Sequence, residues 1–534
     1  MGENEILTIR RTILLKIFNI KYLFALWIGF SVTFAQWSDD PGNPQMLGSG
    51  IQPQVQATSD GGVYIAWLTD MGGYHVYLQR FDAMGVAQFE SGGMLVSDNN
   101  NASWIAVYHL NLAVDNENNA IITFVDQRTG PWEVYAYKIS PDGTMLWGTD
   151  GLALSNSGID NISPRLAVLP DNSVVVTWSK NYSSVVAQRI LTNGELLWGA
   201  GVAINNLIAD LLSPQPIISD DGYILIQWIS QTGPVWAADS KIYLQKYDHD
   251  GNAIWNEPSV SVGPEVFPMG NWLQQSVADG NNGSFAAWTE MSGNVQSAVA
   301  QHITEDGNLS WVGGIELSAN NSNFRMSPRL VVAENSHELM AVWNESNGSQ
   351  SQRGVYAQRL DESGNRLWGM NGTAVVPLNN TYDYLDLSIV SMGDEMITAY
   401  FQHSINMSND IYAARLDSNG DMTWIGGEVE VTNSGSAKSD MMVGKGQGCI
   451  FISWTDNGNI YAHCLRENGT LGAADYAVLG DINGDGNINV LDVVMLVDHI
   501  LNPDTSELES GDINSDGNID ILDVVALVSI VLGN

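Results

Sequence analysis

PRLVV (328–332), LMAVW (339–343), VYAQRL (355–360) and GNRLW (364–368) form one four-part unit, and the same unit recurs from about residue 50 to residue 472. Its second part ends in an aromatic at Trp67, Phe124, Trp178, Trp228, Trp288, Trp343, Tyr400 and Trp454. A glycine precedes the fourth part at Gly85, Gly143, Gly194, Gly251, Gly307, Gly364, Gly420 and Gly469. Both series count eight, with a mean spacing of about 55 residues. Each part is a short β-branched or aromatic run bounded by Gly, Asn or Asp, which is how strands and tight turns read. Four antiparallel strands bury little alone, so the units must stack, and a closed ring removes their exposed edges.

A mainly β chain follows, and residues 36–472 resemble an eight-bladed β-propeller of no named family. Trp37 stands where Trp147, Trp198, Trp255, Trp311, Trp368 and Trp424 stand in the fourth parts, and the eighth unit lacks such a Trp. The stretch from Trp37 to Leu47 is therefore expected to complete the last blade and zip the ring shut. Arg80, Lys138, Arg189, Lys246, His302, Arg359 and Arg415 recur once per unit in the third part, so they serve the architecture. A single reaction centre has no use for seven equivalent copies.

In four-stranded blades the second-to-third and fourth-to-first connections emerge on one face. Here they are long and irregular, and loops on a rigid scaffold are where function concentrates. They carry aromatics outside the repeat pattern: Trp104, Tyr108, Trp132, Tyr182, Trp236, Trp272, Tyr382 and Tyr384. Aromatic faces stack on sugars and on partner side chains, so these eight are the candidate ligand-binding residues; packing beneath their own loops is the alternative. Asp126, Glu133, Asp239 and Glu265 lie in the same loops and are candidates for a glycosidase-type carboxylate pair. No HExxH, GxSxG or phosphate-cradling motif occurs, and no catalytic residue is assigned.

The N-terminus places Arg10, Arg11, Lys16 and Lys21 around a mostly apolar stretch that ends at Ala35, the pattern of an export signal over 1–35. The rival reading is an uncleaved anchor. Cleavage would remove four basic and two acidic residues and take the net charge from −39 to −41. Such a chain repels nucleic acid and anionic membranes, leaving cations, neutral glycans and proteins as partners. The two cysteines, Cys449 and Cys464, flank the turn signal Asp456-Asn457-Gly458, which would set them opposite each other in a hairpin; a disulfide is open.

DINGDGNINVLD (481–492) recurs as DINSDGNIDILD (512–523). Oxygen side chains at loop positions one, three, five, nine and twelve, with Gly at six, describe an EF-hand-type calcium loop. The pair, over 480–534 after a linker at 473–479, resembles the type I dockerin family. That resemblance implies an α-helical module, two Ca2+ ions and docking onto a cohesin domain. It assigns Asp481, Asn483, Asp485, Asn487, Asn489 and Asp492 to one ion, and Asp512, Asn514, Asp516, Asn518, Asp520 and Asp523 to the other. Val493, Leu496, Val497 and Ile500 fall at helical spacing and are expected to pack the two helices together. The family's partner-reading positions often carry Ser-Thr and a basic residue. Here they read Val490-Leu491 with Val497-Asp498, and Ile521-Leu522 with Val528-Ser529. An apolar partner surface and docking onto the chain's own propeller both stay open.

The expected protein is secreted or at the cell surface. In it, a propeller presents a glycan- or protein-binding face and a calcium module mediates attachment. The alternative is an extracellular polysaccharide-degrading enzyme, an O-glycosyl hydrolase, or a component of such an assembly.

Overall fold

Eight four-stranded antiparallel sheets follow one another in the structure, a computed structural model. It describes residues 37–534 apart from 102–104, 207, 234–238, 256–258, 264–274, 293–294, 405–407, 474–479, 481, 483–487, 502–508, 515–517 and 532–534. The expected export segment 1–35 lies outside the described residues. Blade 1 consists of Ile51–Ala57, Val63–Asp70, Tyr74–Phe81 and Met94–Ser97, in that order from the inside outward. The innermost strands pack on one another around the ring. Ile51–Ala57 touches both Asn111–Val114 of blade 2 and Lys438–Lys445 of blade 8, so the ring closes.

Closure uses the N-terminal strand. Gln45–Ser49 forms the outer edge of blade 8, with Gln45 opposite Ala462 and Ser49 opposite Asn459. Trp37, upstream of that strand, is buried between Phe81 at 5.2 Å and Phe451 at 5.5 Å. It lies against Gly85 as Trp147 lies against Gly194 and Trp255 against Gly307. All eight turn glycines have φ between +79° and +88°, a left-handed conformation that suits glycine. A Cβ on Gly307 would also come within 2.8 Å of the Trp255 ring. Glycine is thus required twice over, by its φ and by the tryptophan of the preceding blade.

The third-strand bases are architectural. Lys138 pairs with Asp115 at 2.8 Å, Arg189 with Asp171 at 2.6 Å, Lys246 with Asp221 at 2.7 Å and Arg415 with Glu395 at 2.7 Å. Arg80, His302 and Arg359 pair likewise with Asp60, Asp279 and Glu338. Several also reach the next blade: Lys246 donates to the Asn282 carbonyl, and Arg415 to that of Glu467. Arg189, Lys246, Arg359 and Arg415 therefore fasten a turn of their own blade to the edge of the next.

The cysteines occupy the corresponding places of blade 8 without forming a disulfide. The hairpin Cys449–Asp456/Asn459–Arg466 turns at Asn457-Gly458 as expected. Its register, however, sets Cys464 opposite Phe451 and Cys449 opposite Arg466. The thiols are offset by two residues instead of facing each other.

A second repeated feature shapes the channel. Gln52, His109, Ser163, Ser213, Ser327, Asp386 and Asp440 have φ between +49° and +59° at equivalent places in or before the innermost strands. At six of them the register shifts in a bulge; His109 instead follows the short helix Ile105–Tyr108. Bulges re-aim side chains. The amides of Gln52 and Ser327 are held by Thr455 and Thr289 of the preceding blade, so the device belongs to the ring.

Candidate functional site

The loop aromatics fall into three groups. Tyr108 and Trp132 meet edge to face at 5.5 Å, and the Tyr108 hydroxyl lies 3.3 Å from that of Tyr182. Tyr108 is buried and Trp132 partly so, whereas Tyr182 is 41% exposed, held outward by a left-handed φ of +59°. Tyr382 is also exposed but stands apart, near blade 7. Tyr384 turns inward: it is buried, packs edge-on against Tyr400 at 5.8 Å and receives a hydrogen bond from Asn379. It is core packing, because its strand sets it on the face toward the sheet of blade 6. Trp104, Trp236 and Trp272 lie outside the described residues.

Tyr108 and Tyr182 form one wall of a cavity of about 570 Å³ between blades 2, 3 and 4. Ser163, Ser213, Gln215, Gln227 and Gln231 supply hydroxyl and amide groups to the same lining, and His109, Arg165 and Asp210 supply ionisable ones. An apolar ring face beside convergent polar groups is the composition of a small-molecule or saccharide site. Burial chiefly, then the Arg165 charge, pushes the His109 imidazole below its ordinary value, with Asp440 opposing. Burial and the Tyr182 hydroxyl hold the Tyr108 phenol well above the usual tyrosine range. Both groups therefore enter the site neutral near pH 7.

The proposed carboxylate pair does not assemble from Asp126 and Glu133. They sit opposite each other across a hairpin, but Asp126 is clamped by Arg128. Glu133 is fully engaged by Ser155, the amides of Ser157 and Gly158, and Asn161. Asp239 begins an outer-hairpin strand opposite Thr232, and Glu265 lies outside the described residues. A different acid, Asp386, is exposed at a left-handed bulge position; partial desolvation of its carboxyl chiefly, and Asp440, push it up, as Glu290, Glu345 and Glu428 are also pushed up, while Arg329 opposes this. Sequence reasoning passed over His109, Arg165 and Asp386. Their positions repeat around the ring but vary in residue type from blade to blade, Asp386 recurring as Asp440 and Arg165 as Arg329, so no sequence signal marked them.

The C-terminal module holds helices Val490–Leu501 and Ile521–Val531, each entered from a loop. Leu496 and Leu527 are fully buried between them with Ile482 and Val524, and Val493, Val497 and Ile500 pack alongside, as expected. Asn489 and Asp520 cap the helices, accepting from the amides of Leu491 and Leu522 at 2.9 and 2.7 Å. The twelfth-position carboxylates, Asp492 and Asp523, are completely buried. Asp492 accepts from the amides of Ile482 and Asn489, and Asp523 from those of Asn514 and Asp520. Asp492 and Asp523 are thus held alike at the ends of the two loops, and a carboxylate is a ligand that suits a hard cation such as calcium; Asp481, Asn483, Asp485, Asn487 and Asp516 lie outside the described residues.

Residues 479–532 match the dockerin type I domain. Domains of this type bind calcium, and their match implies attachment through a cohesin-type partner. The first turns of both dockerin helices expose an apolar pair, Val490-Leu491 and Ile521-Leu522, each between 57% and 63% accessible. No curated protein matches the chain in sequence. Among solved structures, an ulvan lyase of polysaccharide lyase family PL25 shares 8% identity over 80% of this chain and 96% of its own, with a TM-score of 0.45. The BP39L lectin of Burkholderia pseudomallei shares 9% over 71% and 98%, also at 0.45. The β-propeller domain of the Pyrococcus furiosus trilobed protease shares 9% over 72% and 98%, at 0.38. Likeness at these scores transfers no function. Among the described residues no helix is long and apolar enough to cross a membrane.

Proposed function

We propose that the chain is a secreted glycan-binding protein, exported by segment 1–35 and attached through its dockerin module to a cohesin-type partner. The propeller would span 36–472 and the dockerin module 480–534, joined by the linker at 473–479. The observation that carries the binding reading is the cavity between blades 2, 3 and 4, whose lining brings Tyr108 and Tyr182 together with several hydroxyl and amide groups. An aromatic beside several neutral hydrogen-bonding groups suits the alternating C–H and O–H surface of a sugar ring. In the dockerin module, two Ca2+ ions would be held by Asp481, Asn483, Asp485, Asn487, Asn489 and Asp492, and by Asp512, Asn514, Asp516, Asn518, Asp520 and Asp523. The exposed pairs Val490-Leu491 and Ile521-Leu522 favour an apolar partner surface.

Calorimetric titration of the protein against a panel of plant and algal oligosaccharides tests this reading. Tyr182→Ala should weaken the tightest interaction about 5- to 150-fold, the scale of an aromatic hot spot worth about 1–3 kcal/mol, with the melting temperature unchanged. Tyr182 is exposed, so its loss leaves no core cavity. Undiminished affinity in this variant would remove the cavity from the account. A polysaccharide-cleaving enzyme is the second reading, with Asp386, exposed at a bulge of blade 7, as its candidate acid. Breakdown of the bound oligosaccharide during the titration, abolished in Asp386→Asn, would establish it.

A further inference from the structure

Among the described residues Arg165 lines a cavity without an ion pair of its own; Arg329, at the equivalent position of blade 6, donates to the Leu387 carbonyl and lies under the charge of Asp386. The third-strand cations all face a carboxylate, and Arg128, Arg325, Arg353, Lys438 and Lys445 have their own acidic partners. Arg165 makes no ion pair within the described residues. One terminal nitrogen donates to the carbonyls of Tyr108 at 3.3 Å and Pro164 at 2.8 Å. Those two bonds fix the plane of the guanidinium at the cavity wall and leave its remaining N–H groups for whatever enters. The residue is part-buried, and burial lowers its pKa with no acid opposing the shift.

A cation kept in a wall without a counter-charge, in a chain of net charge −39, is poorly explained by stability. A planar fork of N–H donors matches a carboxylate in two parallel hydrogen bonds. The neighbouring His109 is held neutral, so it adds a hydrogen bond without a second charge. Among the described residues Asp210 is the one carboxylate in the cavity lining; it is exposed and forms no ion pair with Arg165. We propose that the cavity selects saccharides bearing a carboxylate, the hexuronates, with Arg165 receiving the carboxylate while Tyr108 and Tyr182 bound the sugar ring. This rests on the glycan-binding reading above and narrows it to acidic glycans.

The test uses the full chain with calcium and two probes: a hexuronate oligosaccharide, and the neutral oligosaccharide obtained by reducing its carboxyl groups. The wild type should bind the acidic probe at least about tenfold more tightly, the scale of one charge-assisted contact. Arg165→Gln should bring the two probes within about twofold of each other. Asp210→Asn, which alters an exposed side chain, should widen the wild-type preference by removing a like charge, and it keeps the proposal testable if Arg165→Gln folds poorly. Equal affinity of the wild type for both probes overturns the selection while leaving glycan binding intact. An undiminished preference in Arg165→Gln, or a preference unmoved by Asp210→Asn, also overturns it. Binding of neither probe, nor of any other glycan, overturns the glycan reading itself.

Discussion

Trp343→Ala is expected to lower the stability of the propeller by about 3–5 kcal/mol, the cost of an aromatic removed from a packed core. The side chain has no accessible surface and stacks on Tyr356 at 6.2 Å. Its indole N–H also donates to Glu345 at 3.0 Å, so truncation leaves a cavity and takes one donor from a buried carboxylate. Glu345 retains the Asn323 amide, which limits that second penalty. Because blades stack as neighbours, a weakened sixth blade loosens its contacts with the fifth and seventh as well. The check is the shift in denaturation midpoint at constant slope, compared with Tyr182→Ala. A loss below about 1 kcal/mol would mean that the repeat aromatics are not the core of each blade.

Removal of calcium should have an effect of similar or greater size on the dockerin module. Several carboxylates per loop repel one another, and the buried Asp492 and Asp523 would have to give up a cation that offsets their desolvation. The two helices bury only a small cluster around Leu496 and Leu527, too little to hold against that repulsion. In fragment 478–534, excess chelator is expected to abolish most of the helical circular dichroism, and millimolar calcium to restore it. In the full chain, chelation should expose sites after residue 473 to protease and leave the propeller intact. A helical signal indifferent to chelator would contradict the calcium assignment.

The repeat was legible because ring closure is a one-dimensional problem. Eight aromatics, eight turn glycines and one displaced Trp37 state how many blades exist and where the last strand comes from. Trp37 could be placed because its absence from the eighth repeat left a matching vacancy. The calcium loops were legible for a related reason, since ligand spacing within twelve residues is a local property. The direction of each loop aromatic was not. Tyr382 and Tyr384 are two residues apart, yet one is exposed and the other buried on Tyr400, because a strand begins between them. The cysteines show the same limit: the turn was read correctly, but the register of their strands sets Phe451 rather than Cys449 opposite Cys464.

The binding cavity was the least legible part, because it is assembled from three blades. Tyr108, Tyr182 and Arg165 lie in different connections or strands, and only the fold of the ring brings them to one cavity. His109 and Arg165 sit at repeat positions that other blades fill variously, with Gln, Ser or Asp at the first and Gln, Asn, Arg, Ser or Met at the second, so no repeat rule singled them out.

A structure of the protein with the tightest-binding oligosaccharide of the panel tests the central claim most directly. The account predicts a sugar ring beside Tyr182 and within hydrogen-bond reach of Ser163, Gln215 and Arg165. A sugar seated elsewhere on the propeller, with that cavity holding only water, would contradict it.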